Sequence, residues 1–406
     1  MEMQNLDDIK KALEFYLKRP PGDDSSVIKT LQEMRGAITR ALKKRKCYVC
    51  KIPNIPKESM NQSCETCVKV NDRNRSATAD MRGMTCIVTG CRVKIGFEIC
   101  LALLRMGARV IGTTRFPADA IKRYLAEKDG EKLLQNLTLY AVDFRDIRTL
   151  RQFAQVVEES NEQIHVIINN AAQTIRRPPA FYQHLLEDEK KLQTLALQSP
   201  ASDAITVRNL QGKEVPSAAA LTQRVLMVGD DDDHDFPVGM LDADGQQIDL
   251  REQVSWSMTF GHVDPIELTE VFLVNAMAPF ILTQDLLPTL RKTSGKKFIV
   301  NVSAMEGKFN RWKSACHPHT NMAKSALNQW VKTSGQELAE EMIFMTAVDT
   351  GWVTDERPVH QRHDKFVPPL DSKDGAMRVL HPIIEGLNGG KLYAGVFLKD
   401  YTETTW

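Results

Sequence analysis

MTCIVTGCRVKIGFE, residues 84–98, decides the fold. Its first seven residues form an apolar run, as in a strand buried on both faces. Two glycines follow, Gly90 and Gly96, and a pattern of helical period starts at Ile95. Gly90 permits a tight turn off the strand, and Gly96 lets the chain pack closely where the helix begins. The helix N-terminus offers unpaired N–H groups and a partial positive charge, a setting that suits a pyrophosphate. Two glycines after a strand are a weak signal alone, so the flanking sequence must carry the rest.

Downstream, short apolar runs alternate with helical segments, as in βαβ units. Strands are expected at 84–90, 109–115, 137–144, 165–171, 297–303, 343–349 and 394–400. Helices are expected at 95–108, 117–128, 146–160, 266–292, 320–341 and 374–387. This order predicts an α/β fold with a doubly wound parallel sheet, a Rossmann domain over 81–406. Between about 174 and 262 the regularity breaks; this stretch holds the acidic run Asp230–Asp233 and reads as an insertion after the fourth strand. Arg176 and Arg177, just past that strand, are candidates for an anionic substrate or for a surface role. The Asp–Ala–Asp–Gly run at 242–245 reads as a hairpin turn rather than a calcium loop.

Upstream, residues 1–46 carry two amphipathic helical patterns split by Pro20, Pro21 and Gly22, as in a helical hairpin. Residues 47–80 follow as a small module and a polar linker, the latter over 70–83. Cys47-Tyr-Val-Cys50 and Cys64-Glu-Thr-Cys67 form two CxxC knuckles. Four thiolates at this spacing satisfy a tetrahedral, structural Zn2+ site of zinc-ribbon type. Cys86, Cys91 and Cys100 read as packing residues. Arg35, Arg40, Lys43, Lys44, Arg45, Lys46 and Lys51 border the module. They serve either a protein or nucleic-acid contact or a solvated helix end.

The whole chain has 53 Lys+Arg against 52 Asp+Glu, so net charge gives no push toward nucleic acid or membrane. No uncharged apolar run approaches the roughly 18 residues of a spanning helix. With an N-terminus unlike a leader peptide, a cytoplasmic protein without membrane contact is the expectation.

Beyond the glycine turn, further motifs lie in order on the expected elements, and with them the chain resembles the short-chain dehydrogenases/reductases. The family's TGxxxGIG reads TGCRVKIG, with Lys94 in place of the middle glycine. Asp143 and Phe144 match its adenine-holding pair, and Asn169–Ala172 match NNAG. Asn275 matches the long-helix asparagine, Ser303 the catalytic serine, and Thr350–Thr354 the PGxVxT motif. The resemblance implies a dinucleotide held by Gly90, Arg92, Lys94, Ile95, Gly96, Arg115, Asp143, Phe144, Asn170, Ala171, Lys324, Gly351, Val353 and Thr354. It also implies a small-molecule substrate and a homodimer through the helices at 266–292 and 320–341. The second strand ends in Thr113–Thr114–Arg115, with no acid for a ribose 2′-hydroxyl. Arg115 instead suits a 2′-phosphate, with Arg92 and Lys94 adding cations, which points to NADP(H) over NAD.

In the family a tyrosine four residues before a lysine is the acid/base. Here Lys324 matches the lysine, but Thr320 stands at the tyrosine position. Three alternatives follow. His319 or His317 supplies the proton; Lys324 acts with a water while Ser303 orients the substrate; or the protein binds NADP(H) without turnover. The first two describe an oxidoreductase with altered proton delivery, acting on a carbonyl, alcohol or enone. The third describes a scaffold or redox sensor that meets a partner through the zinc module.

Overall fold

The computed structural model describes residues 62–161, 163–198, 206–208, 217–362 and 367–406, together with 46–53 and parts of 9–18 and 29–35. The chain divides into two units, residues 1–72 and 73–406.

In the second unit, β1 (Thr85–Thr89), α2 (Lys94–Arg105), β2 (Arg109–Thr114) and α3 (Pro117–Leu125) follow α1 (Glu65–Arg75), which crosses the boundary. Then come β3 (Leu137–Ala141), α4 (Ile147–Ser160), β4 (Val166–Asn169), α5 (Gln183–Gln198) and β5 (Thr206–Arg208). Further along lie α6 (Pro265–Phe272), α7 (Ala278–Lys292), β6 (Lys297–Ser303), α8 (Pro318–Glu340), β7 (Ile343–Asp349), α9 (Ser372–Leu387), β8 (Val396–Lys399) and β9 (Thr402–Thr404), and two short helical turns at Gly130–Leu134 and Ala218–Leu221 stand apart from this numbering. The strands form one nine-stranded sheet in the order β5-β3-β2-β1-β4-β6-β7-β8-β9. All neighbours are parallel except β8 and β9.

Side chains alternate across this sheet and so feed two cores. Along β1, Cys86 and Val88 join Ile99 and Leu103 of α2 and Val379 and Ile383 of α9. Ile87 joins Phe153 and Val157 of α4, Leu282 and Leu286 of α7 and Val331 of α8 on the other face. Covering both faces is what makes the strands continuous apolar runs, and each fully buried aliphatic side chain contributes about 1.5–3 kcal/mol. The central element β1 therefore ends, at Thr89, where the glycine turn begins. The helical stretch Pro265–Lys292 has the length and apolar content of a membrane span. Here Val274, Ala278, Leu282, Leu286 and Leu290 are buried in the second core, so it serves as a core helix.

Four local features depart from the sequence reading. The expected linker at 70–83 is helical as far as Arg75, because α1 continues through it. The helix is polar on most sides, leaving no apolar stripe to read, and is supported by Glu65–Lys69 at i,i+4 and by Arg73 and Arg75 in its last turn. The insertion adds β5 to the sheet edge, pairing Thr138 with Thr206. The expected helix at 266–292 is interrupted by a π-helical turn, Leu273–Met277. The sheet gains β9 through a tight turn with Asp400 and Tyr401 at positive φ.

In the first unit, helical residues are described at 9–11, 13–15, 17–18 and 29–35. The remainder of the expected hairpin, with Arg40 and the cations at 43–45, lies outside the described residues.

Candidate active site

The C-terminal ends of β1 and β4 are clamped together. Thr89 Oγ1 accepts the backbone N–H of Asn170 at 3.0 Å and of Ala171 at 2.9 Å. Asn170 Nδ2 donates to the carbonyl oxygens of Thr89 and Gly90 at 3.0 and 3.1 Å. Gly90 turns with φ +70°, and a Cβ there would meet Ala171 Cα at 2.9 Å. Lys94, at the family's middle glycine, takes φ +54°, a left-handed conformation that costs a lysine about 1–2 kcal/mol. The α2 N-cap, Val93, offers no side-chain cap, and the first turn holds no acid, so its N–H groups face the turn without an internal anion. Ile95 and Val353 both pack against Gly375 of α9, which brings the Thr350–Thr354 segment beside the glycine turn. Gly351 itself turns at φ +80° and donates its N–H to Asp349 Oδ1 at 2.8 Å.

The three cations read as phosphate ligands stand in unequal settings. Arg92 is buried, donates to Asp119 Oδ2 at 2.7 Å and Gln246 Oε1 at 2.6 Å, and lies over the Phe116 ring. Its guanidinium is committed within the protein, which corrects the expectation of a cation open to phosphate. Arg115 stacks on Tyr182 with its guanidinium carbon 4.7 Å from the ring centre, and donates to Tyr182 OH at 2.9 Å. Lys94 Nζ lies 3.9 Å from Asp244 Oδ2, with both side chains partly exposed.

Asp143 and Phe144 are likewise more enclosed than expected of an adenine-holding pair. Phe144 is part of the second core. Asp143 accepts from Arg145 Nε at 3.0 Å and Nη2 at 2.6 Å. Burial works against the charge on Asp143, but Arg145 outweighs it and holds the carboxyl below its usual range.

At the other end of the site, the reacting segment lies on β6 and α8. Ser303 Oγ donates to Asn328 Oδ1 at 2.6 Å, and Asn328 Nδ2 donates to Gly307 O at 3.0 Å. Lys324 Nζ donates to Val302 O at 2.8 Å. Thr320, Lys324 and Asn328 recur at i, i+4 and i+8 and so share one helix face. Asn328 belongs to this constellation although the motif reading passes over it; its four-residue offset from Lys324 was the available signal. Burial pulls the Lys324 ammonium down to about 8, with Glu306 opposing the shift. Thr320 Oγ1 is 3.4 Å from both Thr174 O and His319 Nε2. His319 is buried, and its Nδ1 has no hydrogen-bond partner among the described residues. Burial, aided by His317, pushes the His319 imidazole down to about 4, so it is neutral at physiological pH. His317 takes φ +44°, stacks on Trp256 with ring centres 4.0 Å apart, and is paired through Nδ1 to Trp256 O at 2.8 Å.

Asn275 sits in the π-helical turn and grips Gln173 at both ends of its peptide. Its Oδ1 accepts Gln173 N–H at 2.7 Å, and its Nδ2 donates to Gln173 O at 2.9 Å. Gln173 Nε2 in turn donates to Glu270, which also meets Arg145 and Arg176. Arg176 is buried and paired with Asp230, and Arg177 is paired with Asp249. Neither arginine is left for an anionic substrate or a bare surface role. Within the acidic run, Asp230 is buried and accepts the N–H groups of Leu226 and Met227. The expected hairpin turn at 242–245 is present, with a Leu241–Gln247 bridge and Asp242 Oδ1 accepting from Asp244 and Gln246. Cys86, Cys91 and Cys100 are buried packing residues.

In the first unit, the Sγ atoms of Cys47, Cys50, Cys64 and Cys67 lie within 4.8 Å of one another. Cys50 and Cys64 are 3.7 Å apart, close to the ~3.8 Å edge of a tetrahedron with 2.3 Å zinc–sulfur bonds. Lys51 at φ +62° turns the first knuckle and donates its N–H to Cys47 O at 3.1 Å, and Cys64 N–H points at Cys47 Sγ at 3.3 Å.

The family model for short chain dehydrogenases matches residues 84–201 and 253–364, leaving out much of the insertion. The chain belongs to the short-chain dehydrogenase family. It is 28% identical over 354 residues to uncharacterized protein R665 of Acanthamoeba polyphaga mimivirus, covering 84% of this chain and 71% of that one. Retinol dehydrogenase 13 of Homo sapiens is 35% identical over 95 residues, which are 23% of this chain and 28% of that protein. The fold is similar to that of NADPH-bound carbonyl reductase from chicken fatty liver (TM-score 0.50, 18% identity, 80% of this chain and 100% of that one). It is also similar to that of carbonyl reductase Sniffer of D. melanogaster (TM-score 0.50, 16% identity, 80% and 100%).

Proposed function

We propose that this chain is an NADP(H)-dependent oxidoreductase acting on a carbonyl, alcohol or enone, with Lys324 as the ionisable group at its reacting end. The observation that carries the reading is the clamped β1–β4 edge facing an uncapped helix N-terminus, beside a β2 end that carries Arg115 and no acid. Gly90, Ile95, Gly96, Asn170 and Ala171 would hold the pyrophosphate side, Arg115 and Lys94 the 2′-phosphate, and Gly351, Val353 and Thr354 the nicotinamide side. When bound, the dinucleotide supplies the hydride.

The chain's own residues must supply the proton. An alkyl hydroxyl is too weak an acid, so Thr320 serves as a relay and not as the source. A histidine that titrates near 4 carries no ionised proton at neutral pH, which favours Lys324 over His319. A lysine near 8 is poised to donate at neutral pH. Ser303 orients the substrate in this reading only if its hydroxyl leaves Asn328.

Carbonyl reduction is therefore expected to be retained below about pH 8 and lost as Lys324 deprotonates above it. A pH–rate profile on a carbonyl and enone panel tests this: Lys324→Met should remove the step and His319→Ala should leave it. A step that follows His319 would sink the assignment. Stability offers a check without substrate. The folded-state value lies below the ordinary 10.5, so the unfolded chain holds more protons between about 8 and 10.5. Stability should rise with pH across that window, and Lys324→Met should lose the rise in denaturant titrations.

The commitment of Ser303 to Asn328 favours one second reading, a non-catalytic NADP(H) binder; tight NADPH binding without turnover on any substrate is its signature. The four cysteines fit a structural Zn2+ ion in either case. A homodimer through α7 and α8 is supported by the exposed Phe280 and Met322 on these helices. The zinc module and its basic border, where described, would be the contact for a protein or nucleic-acid partner.

A further inference from the structure

The insertion reaches every cation at the phosphate end of the site. Gln246 Oε1 accepts from Arg92 at 2.6 Å, Tyr182 OH accepts from Arg115 at 2.9 Å, and Asp244 faces Lys94 at 3.9 Å. It is also seated firmly against the sheet side. Glu189 of α5 accepts the N–H groups of Ala118 and Asp119 at the start of α3, and Tyr182 stacks on Phe116 with ring centres 5.3 Å apart. The 242–247 turn is rigid in its own right: Asp242 N–H donates to Gln246 O at 2.8 Å, and Gln246 Nε2 donates to Asp244 O at 3.3 Å.

The three contacts differ in strength. Arg92 is almost fully enclosed by Asp119, Gln246 and Phe116, so no incoming anion frees it. Arg115 lies over the Tyr182 ring and donates to its hydroxyl, contacts that orient its guanidinium without setting a carboxylate against it. Lys94 alone is opposed by a carboxylate of the insertion, across a long and half-exposed gap. Such a pair is weak and readily exchanged.

We propose that the insertion is a selectivity element for the cofactor's ribose, with Asp244 as its discriminating residue. The inference rests on the NADP(H) reading above. A phosphorylated ribose carries the charge to take Lys94 from Asp244, whereas a ribose with a free 2′-hydroxyl does not. Asp244 thus weakens binding of the phosphorylated form and leaves the other unaffected. Gln246 fixes the height of the turn by holding Arg92, and Tyr182 presents Arg115.

The test is equilibrium titration of the full-length protein with NADPH and with NADH, followed by nucleotide fluorescence. Wild type, Asp244→Asn, Lys94→Met and the double variant are compared. Asp244 is a half-buried turn residue whose carboxylate is partly exposed, so its isosteric change should leave the fold intact, and thermal unfolding verifies this for each variant. Asp244→Asn should tighten NADPH by on the order of fivefold and leave NADH unchanged. That gain should vanish in the Lys94→Met background, the mark of direct coupling. Equal changes for both nucleotides, no change for NADPH, or a gain that persists without Lys94 would each overturn the inference while wild-type NADPH binding stood. Failure of wild type to bind either nucleotide would overturn the cofactor reading and the inference with it.

Discussion

Gly96→Ala is expected to lower nucleotide affinity by on the order of a hundredfold and to destabilise the fold by roughly 1–3 kcal/mol. A Cβ at this position would lie 2.0 Å from Gly90 O and 2.5 Å from Asn170 Nδ2. Neither atom is the loose end of a flexible chain. Gly90 O is backbone at the tip of the central strand, and Asn170 Nδ2 is the clamp that holds it at 3.1 Å. To admit one methyl group, the α2 start must move away from the turn, and the N–H groups that face the pyrophosphate side move with it. Gly261→Ala serves as the control, because a Cβ there meets nothing within 4 Å. NADPH titration and denaturant unfolding of both variants settle the matter. Wild-type affinity in Gly96→Ala would remove the glycine turn from the site.

Loss of the proposed zinc should have a larger effect, confined to the first unit. Between residues 46 and 72 the described residues that are buried are Cys47, Ser63 and Asn71. These described residues therefore form no apolar core among themselves, and their hydrophobic burial does not offset the entropy of ordering them. A four-thiolate zinc site can, with apparent binding free energies of about 10 kcal/mol or more at neutral pH. Chelation, or Cys64→Ser, should release one zinc per chain and bring amide exchange over residues 46–53 and 62–71 to the rate of an unfolded chain. The melting transition of the unit at 73–406 should stay where it is. A purified protein without zinc, whose exchange is unchanged by Cys64→Ser, would refute the assignment.

What could be read from the sequence follows from what is local. The strands at 297–303 and 343–349 are continuous apolar runs because both faces of the sheet are covered, and they form over those same residues. The glycine turn, the Asn169–Ala172 segment and the Thr350–Thr354 segment are local backbone requirements, and the fold brings all three to one sheet edge. The CxxC knuckles are local as well, since each pair is presented by a single turn. The second half of α1, from Val70 to Arg75, reads as linker because a mostly solvated helix leaves no apolar period. The edge strand β5 spans three residues, too few to show a pattern.

Long-range partners were not legible in this way. In the sequence Arg92 reads as a phosphate ligand, Arg176 as a substrate or surface cation, and Asp230 as one member of an acidic run. Burial decides otherwise: a charge without water must find a partner, and Arg92 finds Gln246 154 positions away, while Arg176 finds Asp230 54 positions away. The same holds at the reacting end. In the sequence, Thr320 is read at the position of the family's tyrosine, with Lys324 and His319 among the candidates to carry a proton. Only the tertiary structure separated them, because their enclosure moves both away from their ordinary values, the imidazole to about 4 and the lysine to about 8. The sequence by itself thus determined the sheet and the glycine turn. Desolvation, a property of the packed chain, decided which charges are enclosed at the site and moved Lys324 and His319 away from their ordinary values.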